Sequence, residues 1–413
     1  MTPTWSSMVH IFGRIGLLSF GGPAAQIALM HETLVSRHKW LSENDYLRAL
    51  SLCMLLPGPE AMQLATYAGW RLRGVPGGLL AGLLFVIPGA LVILVLALGY
   101  IAYGDLPMVQ AVFLGIKAAV IVIVIQALMR VGKKALTGRG ATALAVLAFI
   151  AIFALGLPFP AIVLGAGLYG YVTADSTAVE VPAARPRGTL RTIAIWTVLW
   201  AAPVLLVWAL DQSFLTEIAL FFSKLAIVTF GGAYAVLAYM TQEVVQTHGW
   251  ITTGQMIDAL GLAETTPGPL ILVTEFVALL AGFAQGGFGL AIAAGALTLW
   301  VTFTPCFLWI FAAGPYLDHI AGRPRLAAAL QAITAAVVGV IANLSVWFAL
   351  HVLFEDISTL GALPVPSLTS FHPLAAALTV FSGLLMLVLG RSLLSTLALL
   401  ACAGGALGLA GLV

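Results

Sequence analysis

The sequence contains little charge and little cysteine. Charged residues make up 8% of its 413 residues, whereas about a quarter is usual in a soluble domain. Such a chain lacks the polar surface that a water-soluble fold needs. The three cysteines, Cys53, Cys306 and Cys402, are far apart in apolar stretches, so their spacing indicates neither a disulfide framework nor a metal site.

Motifs of enzymes and of secretory processing are missing as well. There is no phosphate-binding glycine loop followed by Lys-Ser or Lys-Thr, no His-Glu-x-x-His pair and no Ser-His-Asp set. No ligation pattern for haem, flavin or an iron–sulfur cluster occurs. The first sixteen residues lack the basic region and the cleavage site of a signal peptide. We therefore predict a protein that is not an enzyme, without cofactor, metal or nucleic-acid partner.

Long apolar runs dominate the rest of the chain. Hydrophobic residues make up 61% of it, and runs such as 77–104 and 190–210 reach the roughly 20 apolar residues that cross a bilayer. These runs are continuous, whereas a transmembrane β-strand alternates apolar and polar residues. The predicted fold is an all-α polytopic membrane protein.

The chain repeats itself. Residues 12–60 align without a gap on residues 222–270, with 16 identities in 49 positions. A weaker match joins 115–126 to 332–343. We predict a first transporter repeat at 1–175, a cytoplasmic connector with one additional span at 176–211, and a second repeat at 212–413. The matched landmarks are Phe20-Gly21-Gly22 with Phe230-Gly231-Gly232, Trp40 with Trp250, and Pro57-Gly58-Pro59 with Pro267-Gly268-Pro269.

Basic residues predict that the second repeat is inverted. Lys and Arg occur in the loops at 31–48, 71–73 and 130–139 and in the connector, whereas the loop of the second half that matches 31–48 has none. Loops rich in Lys and Arg stay in the cytoplasm. A cytoplasmic N-terminus satisfies this pattern only if the additional span inverts the second half.

Helix breakers lie in the middle of the repeated apolar segments. If the 31–48 loop returns to the cytoplasm, segments 8–34 and 46–71 are hairpins that turn at their Gly-Pro motifs, and their partners in the second half enter from the opposite side. This interpretation predicts about 9 full spans and 4 hairpins. The alternative is kinked full spans, in which Gly and Pro are tolerated for packing.

Broken helices in a membrane point to a binding site. Non-helical backbone at that depth lines a cavity or is buried in protein, and in transporters with inverted repeats it surrounds the substrate. The N-terminus of each half-helix attracts anions. The predicted substrate-binding positions at the breaks are Ser19, Gly21, Gly22, Pro23, Gln26, Pro57, Gly58, Pro59, Gln63, Thr229, Gly231, Gly232, Thr265, Thr266, Pro267, Gly268 and Pro269, of which the Ser, Thr and Gln side chains are predicted hydrogen-bond donors.

Three cationic side chains are predicted to help bind the anion. Arg14 and Lys224 each lie six residues before a Phe-Gly-Gly motif, and a charge inside a membrane segment usually faces a cavity. Arg14 has the alternative of snorkelling to the interface. Lys117 lies deep in the 108–131 span without a local acid, so it is either an anion ligand or the partner of a distant carboxylate.

Three carboxylates are candidates for proton coupling. Glu60 follows Pro59 directly, and Glu264 lies three residues before Pro267. A desolvated carboxylate takes up protons more readily than an exposed one, although Glu60 could instead cap its helix. Glu275 is the weaker candidate.

The three break motifs together carry a family resemblance. Phe-Gly-Gly-Pro at 20–23, Leu-Pro-Gly-Pro-Glu at 56–60 and Thr-Thr-Pro-Gly-Pro at 265–269 closely resemble the bacterial chromate ion transporter family in its long two-domain form. The resemblance covers essentially the whole chain. The residues alone indicate only an anion, whereas the resemblance implies chromate.

That resemblance implies chromate efflux from the cytoplasm, which gives chromate resistance. The inverted repeats predict that transport occurs by alternating access. Chromate is a tetrahedral dianion similar to sulfate, so sulfate is the expected competitor. An importer or exchanger of sulfate or another oxyanion, or an anion channel, remains the alternative. The partners are the transported ion and the lipid bilayer, and the apolar faces permit a homodimer.

Overall fold

The structure is a computed structural model, which describes residues 3–174, 188–230, 232–317, 323–360 and 363–412. Most of the predicted connector and Gly231 lie outside these ranges. The described helices are α1 (Trp5–Leu18), α2 (Gly22–His31), α3 (Glu43–Leu55), α4 (Glu60–Tyr103), α5 (Pro107–Ala135), α6 (Arg139–Phe153), α7 (Phe159–Thr173), α8 (Thr189–Ala209), α9 (Ser213–Val228), α10 (Ala233–Thr241), α11 (Thr253–Thr265), α12 (Val273–Ala313), α13 (Pro324–Leu353), α14 (Pro373–Gly383) and α15 (Leu393–Leu409).

Short irregular elements complete the described chain. Turns of π-helix extend α2 (Glu32–Arg37), α10 (Gln242–Thr247) and α14 (Leu384–Val388), and 3₁₀ turns cover Leu270–Leu272, Gly314–Tyr316 and Leu368–Ser370. Strands β1 (Ile357–Leu360) and β2 (Leu363–Pro366) pair antiparallel, with Ile357 opposite Pro366. The predicted all-α membrane class is confirmed, because five described helices are long and apolar enough to cross a bilayer and four shorter ones are apolar.

The helices stop at the predicted breakers in both halves. Residues 19–21 separate α1 from α2, and residues 56–59 separate α3 from α4. In the second half, Thr229, Phe230 and Gly232 lie in the equivalent gap, and residues 266–269 form the other gap, which the 3₁₀ turn follows. A Gly or Pro here interrupts the helical hydrogen-bond ladder, so the predicted broken helices are confirmed.

The first two broken segments fold back on themselves. The rings of Phe12 and Trp40 are 6.2 Å apart, although a kinked rod would separate these residues by about 40 Å. In the second segment, Asp45 and Arg48 of α3 line the same cavity as Tyr67, which lies beyond the break. Both segments are therefore hairpins rather than kinked spans.

Helices α4 and α12 each contain a point at which the chain changes direction. Arg73 and Gly74 have non-helical backbone angles in α4, as do Gly286 and Gly287 in α12. The chain reverses after Arg73 and Gly74 in α4. A Cβ atom at Gly69, before this point, would lie 2.6 Å from the Cβ of Ala81, after it. Each helix thus joins the second arm of a hairpin to a span, at 75–103 and 288–313. The five longer and four shorter apolar helices, together with the four broken segments, agree with the predicted 9 spans and 4 hairpins.

The chain forms two compact units, and each contains segments of both predicted repeats. Unit 1 comprises Met1–Val95, Gly170–Val236 and Thr266–Leu330. In unit 1, a Cβ at Gly78 would lie 2.7 Å from the ring of Phe311, and one at Gly82 would lie 2.6 Å from that of Phe307. A step from Gly78 to Gly82 along one span corresponds to a step back from Phe311 to Phe307 along the other. These two spans therefore run antiparallel.

Unit 2 comprises Leu96–Tyr169, Leu237–Thr265 and Gln331–Val413. Helix α5 packs against α15, where Gly115 meets the backbone of Leu400 and Gly404 meets that of Ala111. Helix α11 also packs against α5, with Gly261 next to the side chain of Ile116. Glycines at these crossings let the helix backbones approach closely, as is common in membrane bundles.

Candidate functional site

The four helix breaks meet in unit 1 through a reciprocal pair of hydrogen bonds. The backbone N–H of Gly58 donates to the carbonyl oxygen of Thr229 at 2.9 Å, and that of Gly268 donates to the carbonyl oxygen of Ser19 at 2.9 Å. Gly58 and Gly268 are equivalent in the repeat, as are Ser19 and Thr229. Each Pro-Gly-Pro break therefore holds the Phe-Gly-Gly break of the other half.

Glycine is required at these breaks. The backbone φ angle is +83° at Gly21, +118° at Gly58, +100° at Gly232 and +88° at Gly268, in the left-handed region that L side chains rarely adopt. Space is also limited, because a Cβ atom on Gly58 would lie 2.8 Å from Nε2 of Gln63. The glycines of the break motifs are thus needed for the backbone conformation at the breaks.

A small cavity lies where the four helices that follow the breaks begin. Its volume is about 20 Å³, close to what one water molecule needs. Unpaired N–H groups and the helix dipole make each helix start electropositive. Of the described lining residues, Glu60 is the one with a charged side chain. The lining residues are Pro23, Gln26, Gly58, Pro59, Glu60, Ala61, Thr229, Gly232, Ala233, Pro269, Leu270 and Ile271.

Two buried glutamines brace the breaks. The Gln26 amide donates to the carbonyl oxygens of Gly268 at 2.6 Å and Ser19 at 3.2 Å, and the Gln63 amide donates to the carbonyl oxygen of Pro57 at 2.6 Å. Because carbonyls accept hydrogen bonds, these contacts fix which end of each amide is the nitrogen. Within the described part of the chain, the Oε1 atoms of both glutamines are buried without a hydrogen-bond partner.

The hydroxyl groups at the breaks are used differently from the prediction. Ser19 donates to the carbonyl oxygen of Ile15 at 2.6 Å, Thr229 to that of Leu225 at 2.5 Å and Thr265 to that of Leu262 at 2.7 Å. These hydroxyls close the last turn of their own helices. In this structure they are not free donors toward a ligand, because each proton is already shared with the backbone.

The remaining break residues support the backbone. Pro23 occupies the first turn of α2 after Gly22, whose φ is +80°. The carbonyl of Pro267 contacts Gly89, where a side chain would prevent the close approach of the 75–103 span. Thr266 is buried, and it begins the segment of unit 1 that leads into this break.

Arg14 and Lys224 do not line the cavity in the structure. Arg14 lies on a separate surface groove of unit 1, and Lys224 is an exposed residue of α9. Lys117 lies in unit 2, where its Nζ atom is 3.3 Å from Oδ2 of Asp258. Asp258 is a distant carboxylate of the kind that one of the two alternatives for Lys117 required. The roles of the three cations in substrate binding stay predictions.

The three candidate carboxylates have different surroundings. Glu60 begins α4 and is half-buried at the cavity. Glu264 is buried near the end of α11 in unit 2. Glu275 is buried in the first turn of α12, and within the described residues its Oε2 atom has no hydrogen-bond partner. Proton coupling through these groups stays a prediction.

Sequence reasoning missed the cluster around Asp258. The hydroxyl of Tyr100 donates to Oδ2 of Asp258 at 2.8 Å, on the same oxygen that Lys117 contacts. The Oδ1 atom is buried without a partner among the described residues. One signal was present in the repeat, because α11 has Asp258 at the position where the first half has Arg48 in α3.

Comparison with known proteins identifies relatives along nearly the full chain. A family model described as chromate transporter matches residues 6–171 and 216–409. The chain is 33% identical to a chromate transport protein of Pseudomonas aeruginosa, over 95% of this chain and 89% of the relative. It is 31% identical to one from Cupriavidus metallidurans, over 93% of each. A probable chromate transport protein of Synechococcus elongatus is 31% identical, over 81% and 82%. No solved structure matches the chain.

Proposed function

Because the chain belongs to the chromate transporter family, we propose that it carries chromate across the membrane and binds it at the cavity between the four helix breaks. The observation that carries this proposal is the reciprocal pair of hydrogen bonds from Gly58 to Thr229 and from Gly268 to Ser19. These bonds bring four helix starts to one place. Named relatives supply the identity of the ion, and the geometry supplies the reason why an anion binds.

The helix starts provide the attraction for a dianion. Each carries about half a positive charge from its aligned peptide dipoles, and four such ends offset roughly two negative charges. The N–H groups are fixed within each helix, so they are already oriented when the ion sheds water. A lining without Lys or Arg side chains also lets the ion leave again, which a transporter requires.

The size of the cavity supports alternating access. A tetrahedral oxyanion is larger than one water molecule, so the helix starts must separate to admit it. The bonds between Gly58 and Thr229 and between Gly268 and Ser19 join the two repeats, and they are the contacts that would open and re-form. Antiparallel packing of the equivalent spans at Gly78 and Phe311 supports inverted repeats, in which such motions expose the site to each side in turn.

We propose efflux as the direction of transport, giving chromate resistance. An inside-negative membrane potential favours the exit of an anion by about 2.3 kcal/mol per charge per 100 mV. A cytoplasmic N-terminus in the inner membrane follows from the positive loops of the first half. We propose that Glu60, which lines the cavity, exchanges protons with the site, with Glu264 and Glu275 as further candidates.

A charge placed in the cavity tests the binding site. Replacing Ala233 by Asp puts a carboxylate at a helix start that lines the cavity, and we expect it to abolish chromate uptake into inside-out vesicles. The matched control is Ala327→Asp, which adds the same charge to an exposed position in the first turn of α13, away from the breaks. Normal uptake by Ala233→Asp, at normal protein levels, would contradict the proposed site.

The same vesicles separate the rival functions. Sulfate should compete with chromate at the shared tetrahedral geometry, and uptake should saturate. Sulfate uptake in right-side-out vesicles without chromate movement would indicate an importer instead. Currents at single-channel rates would indicate an anion channel.

A further inference from the structure

We propose that a groove beside α1 binds the phosphate-bearing headgroup of an anionic phospholipid. This α1–α2 groove lies in unit 1 between α1 and the α2 segment with its π-helical extension, and its volume is about 600 Å³. It does not include the lining of the cavity at the helix breaks. The inference does not depend on the proposed transport function.

One end of the α1–α2 groove is polar, and the groove carries net positive charge because Arg14 and Arg37 line it with one acid, Glu32. Ser6, His10 and Arg14 are spaced four residues apart on α1, so they lie along one face of the helix. Arg37 and His38 line the facing wall. Because the chain folds back after the Phe-Gly-Gly motif, the start of α1 and residues 37–38 come together at this end.

The other end of the α1–α2 groove is apolar. Ile15 and Leu18 continue the α1 face, and Leu29 lies opposite them. Leu18 is 50% exposed, which suits contact with hydrocarbon rather than water. A polar end that passes into an apolar end within one groove matches the form of a phospholipid, with its phosphate and its acyl chains.

Arg14 needs a partner that the described protein does not supply. In the described part of the chain, no hydrogen bond or ion pair to its guanidinium is present. An arginine cannot lose its proton, and an uncompensated cation within a membrane segment is costly. A lipid phosphate at the groove would provide the missing counter-charge through paired N–H donors.

Arg37 supplies a second cation to the groove. Its Nε atom donates to Glu32 at 3.0 Å, and both side chains are more than half exposed, at 62% and 52%. Such an exposed pair contributes little. It leaves the two terminal nitrogens of the guanidinium for a phosphate, and polybasic surfaces of this kind attract anionic lipids.

The second half lacks the same set of groups. Lys224 stands at the position of Arg14, but Thr247 replaces Arg37 and Leu220 replaces His10. We therefore expect one such lipid site per chain. An apolar wall and the loss of symmetry favour a lipid over the transported ion as the occupant, since the ion site lies on the symmetric breaks.

A lipid titration of the purified protein tests the inference. We would add phosphatidylglycerol, phosphatidylcholine or inorganic phosphate to the protein in detergent, and measure bound lipid by native mass spectrometry and the thermal unfolding midpoint. Phosphatidylglycerol should bind and raise the midpoint, whereas phosphatidylcholine should bind much more weakly. Equal effects of the two lipids would overturn the headgroup site, and stabilisation by phosphate alone equal to that by phosphatidylglycerol would show a free-oxyanion site instead.

Variants locate the lipid on the groove. Arg14→Gln and Arg37→Gln should each weaken phosphatidylglycerol binding about fivefold, and Arg14→Lys should retain part of it. The matched control is Arg139→Gln, which removes the same charge from an exposed position at the start of α6. If the double variant Arg14→Gln with Arg37→Gln binds phosphatidylglycerol as the unchanged protein does, the groove is not the site.

Discussion

The two halves of the chain share the backbone of their breaks but not the side chains around them. Gly58 and Gly268 make the same hydrogen bond at 2.9 Å to the opposite half. Gln26 and Gln63 of the first half brace the breaks, whereas valines at 236 and 273 stand at the equivalent positions. The shared part is the backbone geometry that we propose attracts the anion. The part that differs is the pair of amides that brace the breaks, which the second half lacks.

The largest expected effect comes from the shared backbone. Gly58→Ala and Gly268→Ala should each reduce chromate transport at least tenfold, because a side chain in the left-handed region costs about 1–2 kcal/mol and distorts the bond between the halves. Vesicle uptake at matched protein levels measures this. Gly99→Ala is the control, because a Cβ there meets nothing within 4 Å. Similar losses of transport in the two variants would support an equal role of the two breaks. Normal transport by either variant would contradict it.

The next effect concerns a charge pair that joins the halves. Asp258→Asn should destabilise the protein by about 3 kcal/mol, because it leaves the half-buried Lys117 without its carboxylate. Thermal unfolding in detergent should show the loss. The double variant Asp258→Asn with Lys117→Met should recover most of it. Asp105→Asn, in an exposed loop, serves as the control, and an unchanged midpoint for Asp258→Asn would show that the pair contributes nothing.

The smallest effect comes from making the first half resemble the second. Gln26→Val removes the amide that holds the carbonyls of Ser19 and Gly268, and we expect a cost of about 1–2 kcal/mol. Denaturation would measure this cost. Gln110→Val, at an exposed position of α5, should change stability little. If Gln26→Val is as stable as the unchanged protein, the bracing role is wrong.

Features that depend on local sequence patterns could be predicted. Continuous apolar runs, the repeated Gly and Pro motifs and the basic loop at 71–73 indicated the helices, their breaks and the turn now seen at Arg73 and Gly74. The pairing of Lys117 with Asp258 joins residues 141 positions apart, and no local pattern specifies such a contact. The hydroxyls of Ser19 and Thr229 were expected to face a ligand, because spacing alone does not show that they bond their own helix.

A map of the chromate-bound protein would test the central claim most directly, with the anomalous signal of chromium marking the ion. The account predicts chromium at the helix breaks, with oxyanion oxygens within hydrogen-bonding distance of the backbone N–H groups of Ala61 and Ala233. Chromium bound instead at Arg14 or Lys117, away from all four helix starts, would contradict it.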